Sequence, residues 1–158
     1  MGNWQIYWAW FGKEGEPWSV TGWLTNNTRL QSLRAGSRLW LLISGKACDF
    51  RDSPSVSQTY LAEVLCVEKI GPNPDYDPDL AAGVDNLRFR IEGSHAVKIN
   101  PPLLVEDFIF PDGRDLSVPV GQRLQTPREM EYSTVCALEA RLKKDRPNQY
   151  RRLTEMPG

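Results

Sequence analysis

Apolar residues come in short bursts, separated by polar stretches rich in turn formers. Gln5 to Phe11 (QIYWAWF) is a run of β-branched and aromatic residues closed by Gly12 and Gly15, which predicts a first strand. Alternation along a strand would set Ile6, Trp8 and Trp10 on one face and Tyr7, Ala9 and Phe11 on the other. Residues 12–27 follow no period and read as a loop carrying Trp18 and Trp23. Thr28-Arg29-Leu30-Gln31 then matches a capping box, in which the Thr28 hydroxyl takes a backbone amide and Gln31 reaches back. With Leu30 and Leu33 on one side, it predicts a short helix ending near Gly36.

Leu39 to Ser44 (LWLLIS) is almost continuously apolar, and Thr59 to Ile70 (TYLAEVLCVEKI) is longer with partial alternation; both predict strands that line a core. Residues 45–58 make a turn-rich connection between them. The segment GPNPDYDPDLAAGVDN, residues 71–86, holds three prolines and four aspartates and predicts a mobile acidic loop rather than a strand. Leu87 to Ile91 (LRFRI) alternates, Gly93-Ser94-His95 reads as a turn, and Val97 to Ile99 extends or follows the strand. Leu103 to Phe110 is a further apolar stretch, closed by the Pro111-Asp112-Gly113 turn. Thr126-Pro127-Arg128-Glu129 is a second capping box, with proline at the favoured first helical position. Met130, Val135, Leu138 and Leu142 follow at helical spacing, and Pro147 stops the helix. Asn148 to Gly158 is polar and basic and predicts a frayed end or a linker. No internal repeat is visible. This order of elements predicts an α+β fold: a small curled β-sheet or β-barrel, a short helix after strand 1, and a C-terminal helix packed outside. The domain is expected to span 1–146, with 147–158 as a polar basic tail.

Composition narrows the picture. A chain of 158 residues suits one domain and can bury a core without staples. Hydrophobic content of 41% and charged content of 25% are those of an ordinary globular protein, and no apolar run approaches the ~20 residues that span a bilayer. Met1-Gly2-Asn3-Trp4 lacks a secretory pattern, and Gly2 to Ile6 does not complete a myristoylation motif, so a cytoplasmic location is expected. Cys48, Cys66 and Cys136 are widely spaced and joined by one histidine, which supports neither a disulfide framework nor a zinc site. Cys66 and Cys136 read as small core residues. A formal charge of −1 argues against a protein that grips long stretches of phosphate. It leaves room for a reader of one base with local basic patches.

Several motifs taken in order resemble a known group. An aromatic first strand is followed by Gly22-Trp23 and by Asn26-Asn27-Thr28-Arg29-Leu30 opening a short helix. Leu33-Arg34-Ala35-Gly36-Ser37-Arg38 leads into the apolar strand, and Leu61-Ala62-Glu63-Val64 lies in the next. Arg88-Phe89-Arg90-Ile91, Gly121-Gln122-Arg123-Leu124 and Thr126-Pro127-Arg128-Glu129 complete the set. Together, over residues 4–145, they resemble the EVE and YTH branches of the PUA-like superfamily. The insertion at 71–86, and the lack of a second cage tryptophan in the later strands, depart from that pattern. The resemblance implies a module that reads a modified, flipped-out base in DNA or RNA. It also implies association with, or fusion to, a nuclease or motor in a modification-dependent restriction system.

Five of six tryptophans (Trp4, Trp8, Trp10, Trp18 and Trp23) fall in the first 23 residues. Core packing accounts for Trp4, Trp8 and Trp40, whereas Trp18 and Trp23 lie in a Gly- and Asn-containing loop that is harder to bury. An unstacked base has two flat faces and a polar edge, so its reader needs aromatic planes and fixed donors or acceptors. By position, the resemblance implies a base pocket of Trp10, Phe11, Trp23 and Thr25, with Asn26 and Asn27 as edge readers, and the loop placement of Trp18 makes it a further candidate for that pocket. Thr28 reads as a helix cap. Ser44, at the end of the apolar strand, is expected to open toward the same mouth. Arg29, Lys46, Arg51, Arg123 and Arg128 are the candidate phosphate contacts. The six basic residues between Arg141 and Arg152 suit either phosphate binding or a solvated helix end. No catalytic residue, metal or cofactor is expected: His95 has no marked nucleophile beside it, and phosphate-binding glycine loops are absent. Glu63, Glu68, Glu92, Glu106 and Asp107 are too scattered to assign as a catalytic pair. The second reading is an RNA-binding accessory protein without modified-base specificity, and a small-molecule enzyme on the same fold ranks last.

Overall fold

The computed structural model describes residues 2–8, 23–45, 58–81, 86–110 and 127–157. Within them the apolar bursts become β1 (Asn3–Trp8), β3 (Arg38–Ser44), β4 (Thr59–Pro72) and β5 (Phe89–Leu104), while Trp23–Thr25, expected within the loop of residues 12–27, forms β2 by pairing with β5. A sixth strand, β6 (Arg128–Glu129), is very short. The helices are α1 (Glu106–Ile109), α2 (Tyr132–Asp145) and α3 (Pro147–Thr154), with a 3-10 turn at Thr28–Ser32. The strands form one curled mixed sheet in the order β2-β5-β4-β3-β1-β6. Only β1 and β3 run parallel; their neighbours pair antiparallel. The fold is therefore α+β around a small curled sheet.

The continuous apolar run of β3 has a direct cause, because both of its faces are covered. Trp40 and Leu42 point to one side, where Leu61, Val64 and Val97 meet Val135, Leu138 and Leu142 of α2. Leu39, Leu41 and Ile43 point to the other, against Tyr60, Leu65, Val67, Ile91, Leu30 of the 3-10 turn and Leu33 just after it. Trp4 and Ile6 of β1 pack on this second face and Tyr7 on the first, so Ile6 and Tyr7 alternate as expected, while Ala9, Trp10 and Phe11 lie outside the described residues. Gly36, at φ 86°, makes the turn into β3, where its N–H donates to Val67 O at 2.9 Å. Cys66 is buried as expected.

Several expectations are corrected. Arg128 and Glu129 do not open the last predicted helix: they pair with Gln5 and Trp4 as β6, and α2 starts at Tyr132 after Glu131, while Thr126 lies outside the described residues. Local capping signals lost to a sheet edge that lay more than 120 residues away in sequence. The tail is not frayed. Pro147 does stop α2, but it occupies the first turn of α3, whose Leu153, with Met156 just beyond, is buried in the main core. Arg38 fastens this end by donating to Leu153 O (3.4 Å), and the Cys66 thiol donates to Pro157 O (3.2 Å).

Gly93-Ser94-His95 is not a turn. It continues β5, with His95 opposite Cys66, and register shifts in the β4–β5 ladder absorb the irregularity. Leu103 and Leu104 end β5, and the rest of that apolar stretch folds as α1, tied to β4 by Thr59 N–H donating to Glu106 Oε2 at 3.0 Å. The acidic insertion contributes Gly71 and Pro72 to β4 and is knitted beyond them. Asn73 Nδ2 donates to Leu87 O (2.8 Å), and Asp77 and Asn86 exchange two bonds of 2.9 Å. Cys136, expected in the core, is exposed on α2.

Candidate functional site

β2 is an edge strand held by β5, with Trp23 opposite Ile91 and Thr25 opposite Phe89. The chain then turns through Asn26 and Asn27, and three side-chain oxygens build that corner. Thr25 Oγ1 accepts from Asn27 N–H (3.0 Å), Asn27 Oδ1 from Arg29 N–H (3.0 Å), and Asn26 Oδ1 from Arg88 N–H (2.8 Å). Asn27, not Thr28, therefore caps the 3-10 turn. With both amide oxygens fixed on backbone N–H groups, the two NH2 groups are fixed as well. They make no hydrogen bond among the described residues. The corner thus presents two oriented donors directly after the end of β2.

Ser44 is placed elsewhere. It pairs with Thr59 at the start of β4, whereas Thr25 lies beside Phe89, which pairs with Pro72 at the end of β4. Opposite ends of a 14-residue strand separate them, so the ladder does not bring Ser44 to the Trp23–Asn27 corner. Trp10, Phe11, Trp18, Lys46, Arg51 and Arg123 lie outside the described residues.

Arg29 is exposed beside the corner, while Arg34 folds back to donate to Ser32 O and Leu33 O at 3.0 Å each. Arg38 faces Glu139 of α2 at 3.6 Å. Arg128 is exposed on β6, far along the sheet from β2. Of the C-terminal basic cluster, Arg141 pairs with Asp145 and Arg146 donates to Pro101 O (3.3 Å). Arg151 lies 4.0 Å from Glu155. Lys143, Lys144 and Arg152 are exposed and make no ion pair among the described residues.

Two buried polar residues on the sheet were not among the candidate site residues read from the sequence. Glu63 is completely buried on β4 opposite Leu41. Gln5 is 4% exposed on β1, and its one signal is that of a lone carboxamide within an aromatic strand, on the side of Tyr7. No group of three or more His, Cys, Asp or Glu able to hold a metal occurs among the described residues, and no helix there is long and apolar enough to cross a membrane. No protein-family model matches the chain, and no curated protein matches it.

Proposed function

We propose that this chain is a nucleic-acid-binding module that takes up a flipped-out, modified base at the Trp23–Asn27 corner. The observation that carries the proposal is the pair of fixed amide donors on Asn26 and Asn27, three and four residues after a tryptophan on an edge strand. Stacking on Trp23 would supply roughly 1–3 kcal/mol per base. Donors locked by their own oxygens would read the base edge without loss of side-chain entropy on binding. The module belongs to the PUA-like group in this reading, acts as a specificity element for an attached or associated nuclease or motor, and performs no catalytic step itself. DNA is the favoured substrate and RNA the alternative. A damaged, modified or unpaired base is the favoured target, because extrusion from an intact duplex costs a few kcal/mol.

Titration with oligonucleotides bearing 5-methylcytosine, 5-hydroxymethylcytosine, N6-methyladenine or no modification, followed by tryptophan fluorescence, tests this. One modified oligonucleotide should bind more tightly than the rest and change the fluorescence, and Trp23→Ala should erase the preference while the circular dichroism is retained. Equal affinity for all four with unchanged fluorescence sinks the proposal. The exposed Lys143, Lys144 and Arg152 favour a second reading, an RNA-binding accessory protein that grips phosphates through α2 and α3 without a base pocket.

A further inference from the structure

A second site lies on the opposite side of the sheet order from β2. β1, β6, α1 and the first turn of α2 enclose a cleft of about 200 Å³, lined by Gln5, Phe108, Ile109, Met130 and Thr134 with Arg128 at its rim. Strand alternation sends Gln5 to the face of Tyr7, which packs toward the core beneath α1 and α2. Its residue is 4% exposed, yet its carboxamide makes no hydrogen bond among the described residues. Asn3, two residues before it on the same strand, is satisfied: Trp40 Nε1 donates to its Oδ1 at 2.9 Å. A carboxamide that lines a cleft with its hydrogen-bonding capacity unspent on the protein is one that a ligand can engage.

The surroundings define what that ligand would be. A carboxamide offers an acceptor and a donor side by side, and its complement is a cyclic amide edge in which N–H adjoins C=O. Phe108, Ile109 and Met130 supply apolar walls for a flat ring. Arg128 is offset by Glu129 and Glu131 in the same lining, so the site favours a neutral ligand over an anion. The volume falls below the roughly 300 Å³ at which pockets begin to hold drug-sized molecules, which suits one ring. We infer that this cleft binds a neutral lactam ring of the pyrimidine-base type, held edge-on by the Gln5 carboxamide and covered by Phe108. The inference is independent of base reading at the Trp23–Asn27 corner.

Heteronuclear NMR titration of the full chain with uracil tests it, with 1,3-dimethyluracil, benzoate and oligouridine as comparison ligands. Uracil should shift the amides of Phe108, Ile109 and Thr134 saturably. Dimethyluracil, which lacks the ring N–H donors, should bind about tenfold more weakly or worse, and benzoate should not displace uracil. Gln5→Leu should abolish the discrimination, whereas the amides of Leu24 and Thr25 should not shift with uracil, which keeps this site's failure distinct from that of the corner. Oligouridine binding more tightly than uracil identifies a strand as the source of the ring; weaker binding identifies a free base. No saturable shift with uracil, equal affinity for dimethyluracil, or tighter binding of benzoate overturns the inference. Because uracil and dimethyluracil are compared on the unaltered chain, the test holds even if Gln5→Leu perturbs folding.

Discussion

The side-chain oxygen of Asn26 accepts a hydrogen bond from the backbone N–H of Arg88 at 2.8 Å, joining positions 62 residues apart. Through it the corner after β2 is fixed to the entry of β5, and the residue proposed to read a base edge also holds the edge strand in place. The two roles separate by substitution. Asn26→Asp keeps the acceptor and removes the donors, so the melting temperature should stay near that of the unaltered chain while preference among modified oligonucleotides falls. Asn26→Ala removes both and should cost about 0.5–1.5 kcal/mol in denaturant unfolding. If Asn26→Asp retains full preference, Asn26 is structural only.

The C-terminal helix is expected to be integral to stability. Leu153 is 1% exposed within the cluster that contains Trp40 and Leu138, so Leu153→Ala should destabilise the chain by about 2–5 kcal/mol. Urea unfolding measures this, and a loss below about 1 kcal/mol would mean that α3 is a loosely held appendage.

At Gly93 a side chain has nowhere to go. A Cβ there would run into the buried Leu65 side chain and approach Cys66 O to 3.1 Å. Gly93→Ala should therefore destabilise by about 1–3 kcal/mol, visible as a lowered urea midpoint with unchanged slope. An unaltered midpoint would show that β5 can shift to accommodate it.

Salt dependence discriminates between the two functional readings. Removing one cation that neutralises a phosphate should lower the slope of log affinity against log salt by about 0.7–0.9. If α2 and α3 grip the backbone, replacing Lys143, Lys144 and Arg152 with alanine should flatten the slope by about 2–3 for every oligonucleotide alike. If the corner dominates, the slope should change little and the preference among bases not at all.

Tyr132 is 84% exposed at the start of α2, and its hydrogen bond with the Cys136 side chain, one turn on, raises the phenol above its ordinary 10.0. The protonated phenol is the form favoured in the folded chain. The contribution is thus fully present below pH 10 and fades as pH rises through the folded value. Cys136→Ala should lower the Tyr132 midpoint in a tyrosinate absorbance titration, with Tyr132→Phe identifying which transition disappears. An unmoved midpoint would show that Cys136 does not set it.

Some of this protein was legible in the residues themselves. Leu39 to Ser44 and Thr59 to Ile70 are apolar enough that only strands covered on both faces could use them, and both stand within two residues of the expected bounds. Cys66 was readable as core for the same reason. What local pattern could not supply was the partner of each segment. Arg128-Glu129 carries helix-start signals but lies along β1, where Met130 N–H donates to Asn3 O at 2.7 Å. Asn27 took the cap expected of Thr28, Cys136 fell on the outward side of α2, and the polar tail proved to carry two anchors, Leu153 and Met156, into the core. Ser44 and Thr25 looked like members of one pocket until the β4 register set them at opposite ends of a strand. Propensity and periodicity act over a turn or a few residues. Sheet order, the parallel pairing of β1 with β3 and the burial of Gln5 depend on packing between residues tens of positions apart, so only the tertiary structure decided them.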